Sequence, residues 1–256
     1  MSLPLNLIIF CTTMPKYGHG NNSERYTADY TYQKTIDSLF DQVDKNIFKN
    51  RLLHLKSREE EKDKAEEIKE FCKSRDIRVI ETVTHVAHHS QDPLSHAAEY
   101  FKDIYKAYSD LEIRKQKYSL WLEDDYVFDC DLLELEGAFK KSINFLDGNP
   151  DQLCVRFNHG DGRGFADPEG DYLVENDFIF TQAINYTKYG PTFTFQPNIN
   201  RTNEIFIAWK MAQEHLDKLG TYHCELMSGD LLKNMTNSKT PFSFFNTHKV
   251  YSDHIG

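Results

Sequence analysis

The sequence predicts an α/β protein: a first half built on a parallel sheet and a second half built on a mixed sheet, with helices on both faces. Three observations predict it. The 256 residues are 39% hydrophobic and 13% aromatic, enough to bury a sizeable core. In residues 1–130, apolar runs of strand length alternate with segments of helical period, the pattern of right-handed β-α-β crossovers. In residues 131–256 that alternation gives way to strand-like pieces separated by Gly- and Pro-bearing loops.

Taken in order, Leu5 to Thr12 (LNLIIFCT) is a continuous apolar run, the mark of a strand covered on both faces. A turn-rich loop, Lys16 to Asp29, follows; it holds neither GxGxxG nor GxxxxGK and reads as surface. Tyr32, Ile36, Leu39, Phe40 and Val43 fall at helical spacing. Arg51 to Leu55 reads as a second, short strand, and Ser57 to Arg75 as a charged helix with Ala65, Ile68 and Cys72 on a narrow buried face. Ile77 to Val83 is a third strand. Ser95 is the expected cap of a helix marked by Ala97, Ala98, Phe101, Ile104, Tyr105, Tyr108 and Leu111. A fourth strand spans residues 119–128, and Leu132, Leu135, Phe139, Ile143 and Leu146 mark a helix stopped by Asp147-Gly148-Asn149-Pro150.

Beyond it, Leu153 to Asn158, Asp177 to Ala183 and Thr192 to Gln196 read as strands, with the loop His159 to Asp171 between the first two. Ile205, Ala208, Trp209, Ala212, Leu216 and Leu219 mark a helix ending at Gly220, and a last helix is expected from His223 through Leu232. Without repeats or low-complexity linkers, residues 1–256 are expected to form one domain in two lobes. The abrupt aromatic tail is equally that of one domain within a longer protein.

The net charge of -10 and pI near 5.5 argue against a sequence-independent nucleic-acid binder, which needs a basic stripe. No run is long enough to be a transmembrane segment, and Leu3 to Cys11 lacks the basic lead of a signal peptide. Cys11, Cys72, Cys130, Cys154 and Cys224 form no CxxC pair, which points to buried free thiols and a reducing, cytoplasmic compartment. Asn-x-Ser/Thr sequons occur at Asn21, Asn185, Asn200 and Asn234.

Chemistry concentrates in SLWLEDDYVFD, Ser119 to Asp129, where Glu123, Asp124 and Asp125 sit between apolar flanks. Buried adjacent carboxylates repel one another and need a cation or a set of donors, which suits a hard divalent metal; a strand surfacing into a charged turn is the plain alternative. His85, His88 and His89 cluster after the third strand, but without HExxH or a zinc-finger spacing they read as a loop at the mouth of a site. Open α/β sheets bind ligands at the carboxyl ends of their strands. The acids, Thr12 and Thr13, Lys56 and Ser57, and the His-rich loop all stand at such ends.

In layout the chain resembles the GT-A-fold glycosyltransferases over nearly its whole length. The resemblance is carried by LWLEDDYVF as a DxD-type element, YTYQKTIDSLF as a first helix, FTFQPNINRT as the strand before an acceptor-side helix, and SDHIG as a C-terminal metal-binding histidine segment. Glu-Asp-Asp replaces Asp-x-Asp, leaving Glu123 and Asp125 as the pair spaced to share one face of a strand. The resemblance implies a metal-dependent glycosyltransferase, inverting, that moves a sugar from a UDP- or GDP-type nucleoside-diphosphate sugar donor to a hydroxyl of a glycan or glycoconjugate acceptor. It implies Mn²⁺ or Mg²⁺ on Asp125 and His254, and donor contacts from Glu123, Asp124, Thr12, Thr13 and Lys56. The base removing the acceptor proton would be Glu225, then Asp230, then Glu204. Glu225 is also placed as a plain helix N-terminal charge. Arg156 or Arg163 would offset the diphosphate. Sugar nucleotidyl transfer and a non-catalytic cation- or nucleotide-binding module are the alternatives; the first lacks the Gly-rich, cation-bearing first loop that a triphosphate wants.

Overall fold

The computed structural model describes residues 5–13, 30–85, 93–150, 152–159, 172–175, 178–182, 197–219 and 243–255. β1 (Leu5–Thr12) is the run foreseen, and it is buried from Leu5 to Cys11 because helices cover both of its faces. Its side chains alternate, as a period of two requires. Leu5, Leu7, Ile9 and Cys11 enter one core cluster, and Ile8 and Phe10 enter the other.

α1 (Tyr32–Gln42) and β2 (Phe48–Arg58) follow. β2 is longer than the five residues expected, because Lys56, Ser57 and Arg58 continue the parallel ladder against Thr82, Val83 and Thr84. The charged helix therefore starts later than Ser57: a 3-10 turn, Glu59–Glu61, leads into α2 (Lys62–Ser74). α2 closes on a Schellman motif, in which the Asp76 N–H donates to the Lys73 carbonyl at 3.1 Å and the Ile77 N–H to the Cys72 carbonyl at 2.9 Å. That motif needs a left-handed residue, and Asp76 takes the place at φ 59° where glycine is usual.

β3 (Arg78–Thr84) leads to α3 (Pro93–Tyr108). α3 opens on Pro93, which needs no N–H there, so the expected cap Ser95 lies inside the first turn. Leu111 belongs to a separate turn, α4 (Leu111–Arg114), capped by Asp110 and exposed at Leu111. The single strand expected over 119–128 is broken: β4 (Tyr118–Glu123), a turn at Asp124 and Asp125, then β5 (Tyr126–Phe128). α5 (Leu132–Gly148), β6 (Gln152–His159), β7 (Tyr172–Glu175), β8 (Phe178–Gln182), β9 (Asn198–Arg201), α6 (Thr202–Leu219) and β10 (Ser243–His254) complete the described elements. The expected strand at 192–196, the helix at 223–232 and the loop 160–171 lie outside the described residues.

One ten-stranded sheet orders the described strands β3-β2-β1-β4-β9-β6-β10-β8-β7, with β5 paired to β10. β3, β2, β1 and β4 are mutually parallel; β9 runs antiparallel to both β4 and β6. This is the parallel half joined to a mixed half that the sequence predicts. α1, α2 and α5 pack Ile36, Leu39, Ile68, Phe139 and Ile143 on one face, and α3 and α6 pack Phe101, Ile104, Tyr108, Ile205 and Trp209 on the other. Arg201, at the end of β9, binds α5 from below, its Nε donating to the Gln152 carbonyl at 2.8 Å and its Nη2 to the carbonyls of Leu146 and Asn149. A buried cation there satisfies carbonyls that the helix end leaves open.

Candidate active site at the carboxyl ends of the parallel strands

Parallel register brings the sequence-predicted residues to one end of the sheet. Thr12 lies opposite Lys56, Lys56 opposite Thr82, and Glu123 opposite Phe10, two residues short of Thr12. The chain turns at Asp124 and Asp125, whose residues are 3% and 5% exposed, so both carboxylates are held out of bulk water. Asp124 reaches across the end of β1, where the Thr12 N–H donates to its Oδ2 at 3.5 Å. This turn separates Glu123 from Asp125, so the two do not share a strand face as expected; the adjacent pair is Asp124 with Asp125. Glu123 accepts instead from the Tyr100 hydroxyl on α3.

The tail closes the site from the mixed half. The end of β10 runs antiparallel to β5, with Ser252 opposite Phe128, Asp253 opposite Val127 and His254 opposite Tyr126. The Ile255 N–H then donates to the Asp125 carbonyl at 2.8 Å. The backbone of His254 thus stands beside the acid turn; its side chain, the expected metal ligand, lies outside the described residues.

Thr13 and Lys56 are less available to a ligand than their positions suggest. The Thr13 N–H donates to the Lys56 carbonyl at 3.0 Å, and its hydroxyl donates to Glu61. The Lys56 ammonium is buried, 3.0 Å from a Glu99 oxygen and 3.7 Å from an Asp103 oxygen. Burial pushes Glu99 up, but the Thr84 hydroxyl and Lys56 outweigh it and hold the carboxyl below its ordinary range.

Beneath Lys56 lies a buried pair that sequence reasoning did not single out. His54 Nε2 is 3.6 Å from Asp103 Oδ1 and 3.2 Å from the Thr82 hydroxyl, with Phe10 stacked on the imidazole at 5.5 Å. Burial, with the Lys106 and Lys56 cations, pushes His54 down to about 3. Burial pushes Asp103 up to about 6, against the pull of Lys56. At neutral pH the imidazole is therefore uncharged and its contact with Asp103 is no ion pair. A signal was present: Glu99 and Asp103 stand four apart on the apolar stripe of α3, a spacing that aims both at one neighbour.

Other candidates fall elsewhere. Glu204 lies in the first turn of α6, whose Thr202 N–H bonds the Lys117 carbonyl at the amino end of β4, so it is removed from the acid turn. Arg156 is buried within β6, opposite Asn198 of β9. Glu225, Asp230 and Arg163 lie outside the described residues, as does the His-rich loop beyond His85. Among the described residues, no three His, Cys, Asp or Glu side chains gather closely enough to hold a metal ion by themselves. The donors at the turn are all carboxylate oxygens, the set a hard divalent cation takes. A pair fits the habit of Mg²⁺, which binds through one or two carboxylates and fills the remaining positions with water and ligand phosphates. Cys11, Cys72 and Cys154 are buried free thiols, as expected, and Cys130 is partly exposed. Among the described residues no helix is long and apolar enough to cross a membrane.

No protein-family model matches the chain, and no curated protein matches its sequence. Among solved structures, mouse xyloside xylosyltransferase 1 in its apo form aligns over 94% of this chain and 83% of that one, at 12% identity and a TM-score of 0.41. A Bacillus anthracis protein described as a glucose-1-phosphate thymidylyltransferase, in complex with sucrose, aligns over 94% and 86%, at 9% identity and a TM-score of 0.43. Both likenesses are long but loose, and the functional reading below rests on this chain's own residues.

Proposed function

We propose that the chain is a metal-dependent transferase that moves a sugar from a nucleoside-diphosphate sugar to a hydroxyl acceptor, with inversion. The observation that supports this reading is the buried Asp124–Asp125 turn at the carboxyl end of β4, with Thr12 on one side and the backbone of His254 and Ile255 on the other. Two adjacent carboxylates out of water call for a cation or a set of donors, and the first suits this pair beside a strand end. Asp125, with Asp124 and His254, would hold Mn²⁺ or Mg²⁺. When bound, the ion neutralises the charge that develops on a departing diphosphate.

The chain's own groups then have separate tasks. The Thr12 amide and the rigid carboxyl end of β1 set the position of Asp124, while Tyr100 holds Glu123 at the rim, where it can accept from a ribose hydroxyl. Lys56, neutralised by Glu99 and Asp103, supports the floor of the crevice. Glu225 is the residue proposed to take the acceptor proton, with Asp230 second, since an inverting displacement needs one carboxylate on the acceptor side.

Calorimetric titration with UDP and GDP, with and without Mn²⁺, tests the reading. Binding that needs the ion and is lost in Asp125→Asn is expected; nucleotide binding indifferent to both would overturn the metal assignment. Release of nucleoside diphosphate from a donor panel in the presence of glycan acceptors would establish glycosyl transfer, and proton NMR of the first product formed would give the anomeric outcome. Pyrophosphate released from a nucleoside triphosphate and a sugar phosphate would establish nucleotidyl transfer instead.

A further inference from the structure

The opposite end of the parallel strands carries a cavity of about 380 Å³, lined by Lys49, Asn50 and Arg51 of β2, Lys73 of α2, Asp76 and Ile77 before β3, Arg78 at its start, and Glu112 of α4. Lys49 and Lys56 are seven residues apart on β2, roughly 23 Å at about 3.3 Å per residue, so the cavity and Lys56 stand toward opposite ends of that strand. Four cationic side chains and two carboxylates line it, a local surplus of positive charge in a chain whose net charge is -10. That surplus runs against the composition of the whole.

Arg51 lines the cavity from β2. Its side chain is 13% exposed, its Nη2 pairs with the Asp76 carboxylate, and its Nη1 is buried with no acceptor among the described residues. A buried guanidinium N–H without an acceptor is costly, and it is satisfied most directly by an oxyanion entering the cavity. Arg78 stands on the same wall, tied to Asp110 at 2.6 Å through Nη1. The wall itself is rigid. Asn50 Nδ2 donates to the Glu112 carbonyl at 2.9 Å and to Asn6 Oδ1 at 2.8 Å, and Asn6 Nδ2 donates to the Ile113 carbonyl at 2.7 Å, so α4 is bolted to β1 and β2. Asp76 is held in its left-handed conformation by the helix-ending hydrogen bonds, which places its exposed carboxylate over Arg51.

We propose that this cavity is a binding site for a phosphate group, separate from the catalytic crevice. A planar fork flanked by lysines suits a tetrahedral dianion better than a carboxylate, which one arginine already satisfies. The volume lies at the small end of ligand pockets, enough for a phosphomonoester of sugar size. Asp76 acts as the competitor: it occupies one arm of Arg51, and an incoming phosphate displaces it.

Isothermal titration of the whole chain at constant ionic strength tests this, using inorganic phosphate in one arm and glucose 6-phosphate in the other. Saturable binding of either is expected, and the tighter arm identifies free phosphate or phosphomonoester as the source. Arg51→Gln and, on the exposed surface, Lys73→Gln are each expected to weaken it by about tenfold, the worth of a charge-assisted hydrogen bond. Asp76→Asn, which tolerates the left-handed backbone, should tighten it severalfold. No saturation by either probe beyond that of chloride, or affinity unchanged in both Arg51→Gln and Lys73→Gln, overturns the proposal.

Discussion

Lys49 and Lys56 belong to the same strand, yet the two ends of that strand have opposite electrostatic characters. At the carboxyl end, Lys56 is buried among carboxylates: Glu99 and Asp103 touch it, and Glu61, Glu123, Asp124 and Asp125 stand around the neighbouring strand ends. At the amino end, Lys49, Lys73 and Arg78 are exposed and Arg51 reaches inward. The first end stores buried negative charge, which is expensive without a cation; the second, Arg51 apart, displays solvated positive charge, which costs little and attracts anions from a distance. A parallel sheet lets one chain keep two such fields apart, because every strand delivers its ends to the same two places.

The largest expected effect attacks the acidic end. Replacing Asp124 and Asp125 together by Asn should lower metal-dependent nucleotide affinity by at least about a hundredfold, the loss of two charge-assisted contacts, and leave phosphate affinity at the amino end unchanged. Titration calorimetry with each ligand on the same variant reads both; a joint loss would show that the two ends are one site.

The second expected effect concerns protons buried under Lys56. His54 is depressed to about 3, so its stabilising neutral form is fully present above its ordinary value near 6.5 and is lost as pH falls through about 3. Asp103 is raised to about 6, so its contribution is full below its ordinary value of 3.8 and is lost as pH rises through about 6. Between pH 4 and 6 the two slopes oppose, each up to roughly 1.4 kcal/mol per pH unit. Asp103→Asn should therefore make stability rise with pH in that window, and His54→Gln should make it fall. Urea melts at pH 4, 5 and 6 check this, and parallel profiles in the two variants would refute the opposition.

The smallest effect lies at the basic end. Asp76→Asn removes an ion pair whose acid is 77% exposed, so stability should move by less than about 1 kcal/mol while phosphate affinity rises. Thermal melts beside the phosphate titration separate the two.

Legibility in the sequence followed burial of apolar residues. LNLIIFCT announces β1 because six of its eight residues are apolar, the length and composition of a doubly covered strand. β9 is the converse: no apolar run marks it, and only the resemblance carried by FTFQPNINRT puts a strand there, yet Asn198 and Asn200 are fully buried. Asn200 Nδ2 donates to Asn198 Oδ1 and to the Tyr108 hydroxyl, each at 2.9 Å. Only tertiary partners make that strand possible, and they also remove the Asn200 sequon from the surface. The break after Glu123 was hidden for a related reason, since Tyr126, Val127 and Phe128 resume an apolar run and local pattern does not register a two-residue turn. At the site, residue type pointed to Asp124 and Asp125, but which of them meets Thr12 depends on the turn. The His54–Asp103 pair was obscure because the Glu99 and Asp103 spacing says that α3 aims acids at one neighbour but not at which, and only packing sets His54 of β2 there.

β10 sets the order in which the molecule can be completed. Among the described pairings it joins β6, β8 and β5, and β7 and β8 reach the sheet only through it. The parallel half can close by successive short crossovers, whereas Phe128 meets Ser252 across roughly 120 residues of chain, a closure that long-range topology makes late. The acid turn receives the Ile255 hydrogen bond in that same closure. A refolding chain is therefore expected to regain its helices before the cation-dependent nucleotide binding proposed above, with the lag between the two signals measuring how slowly the last strand finds its slot.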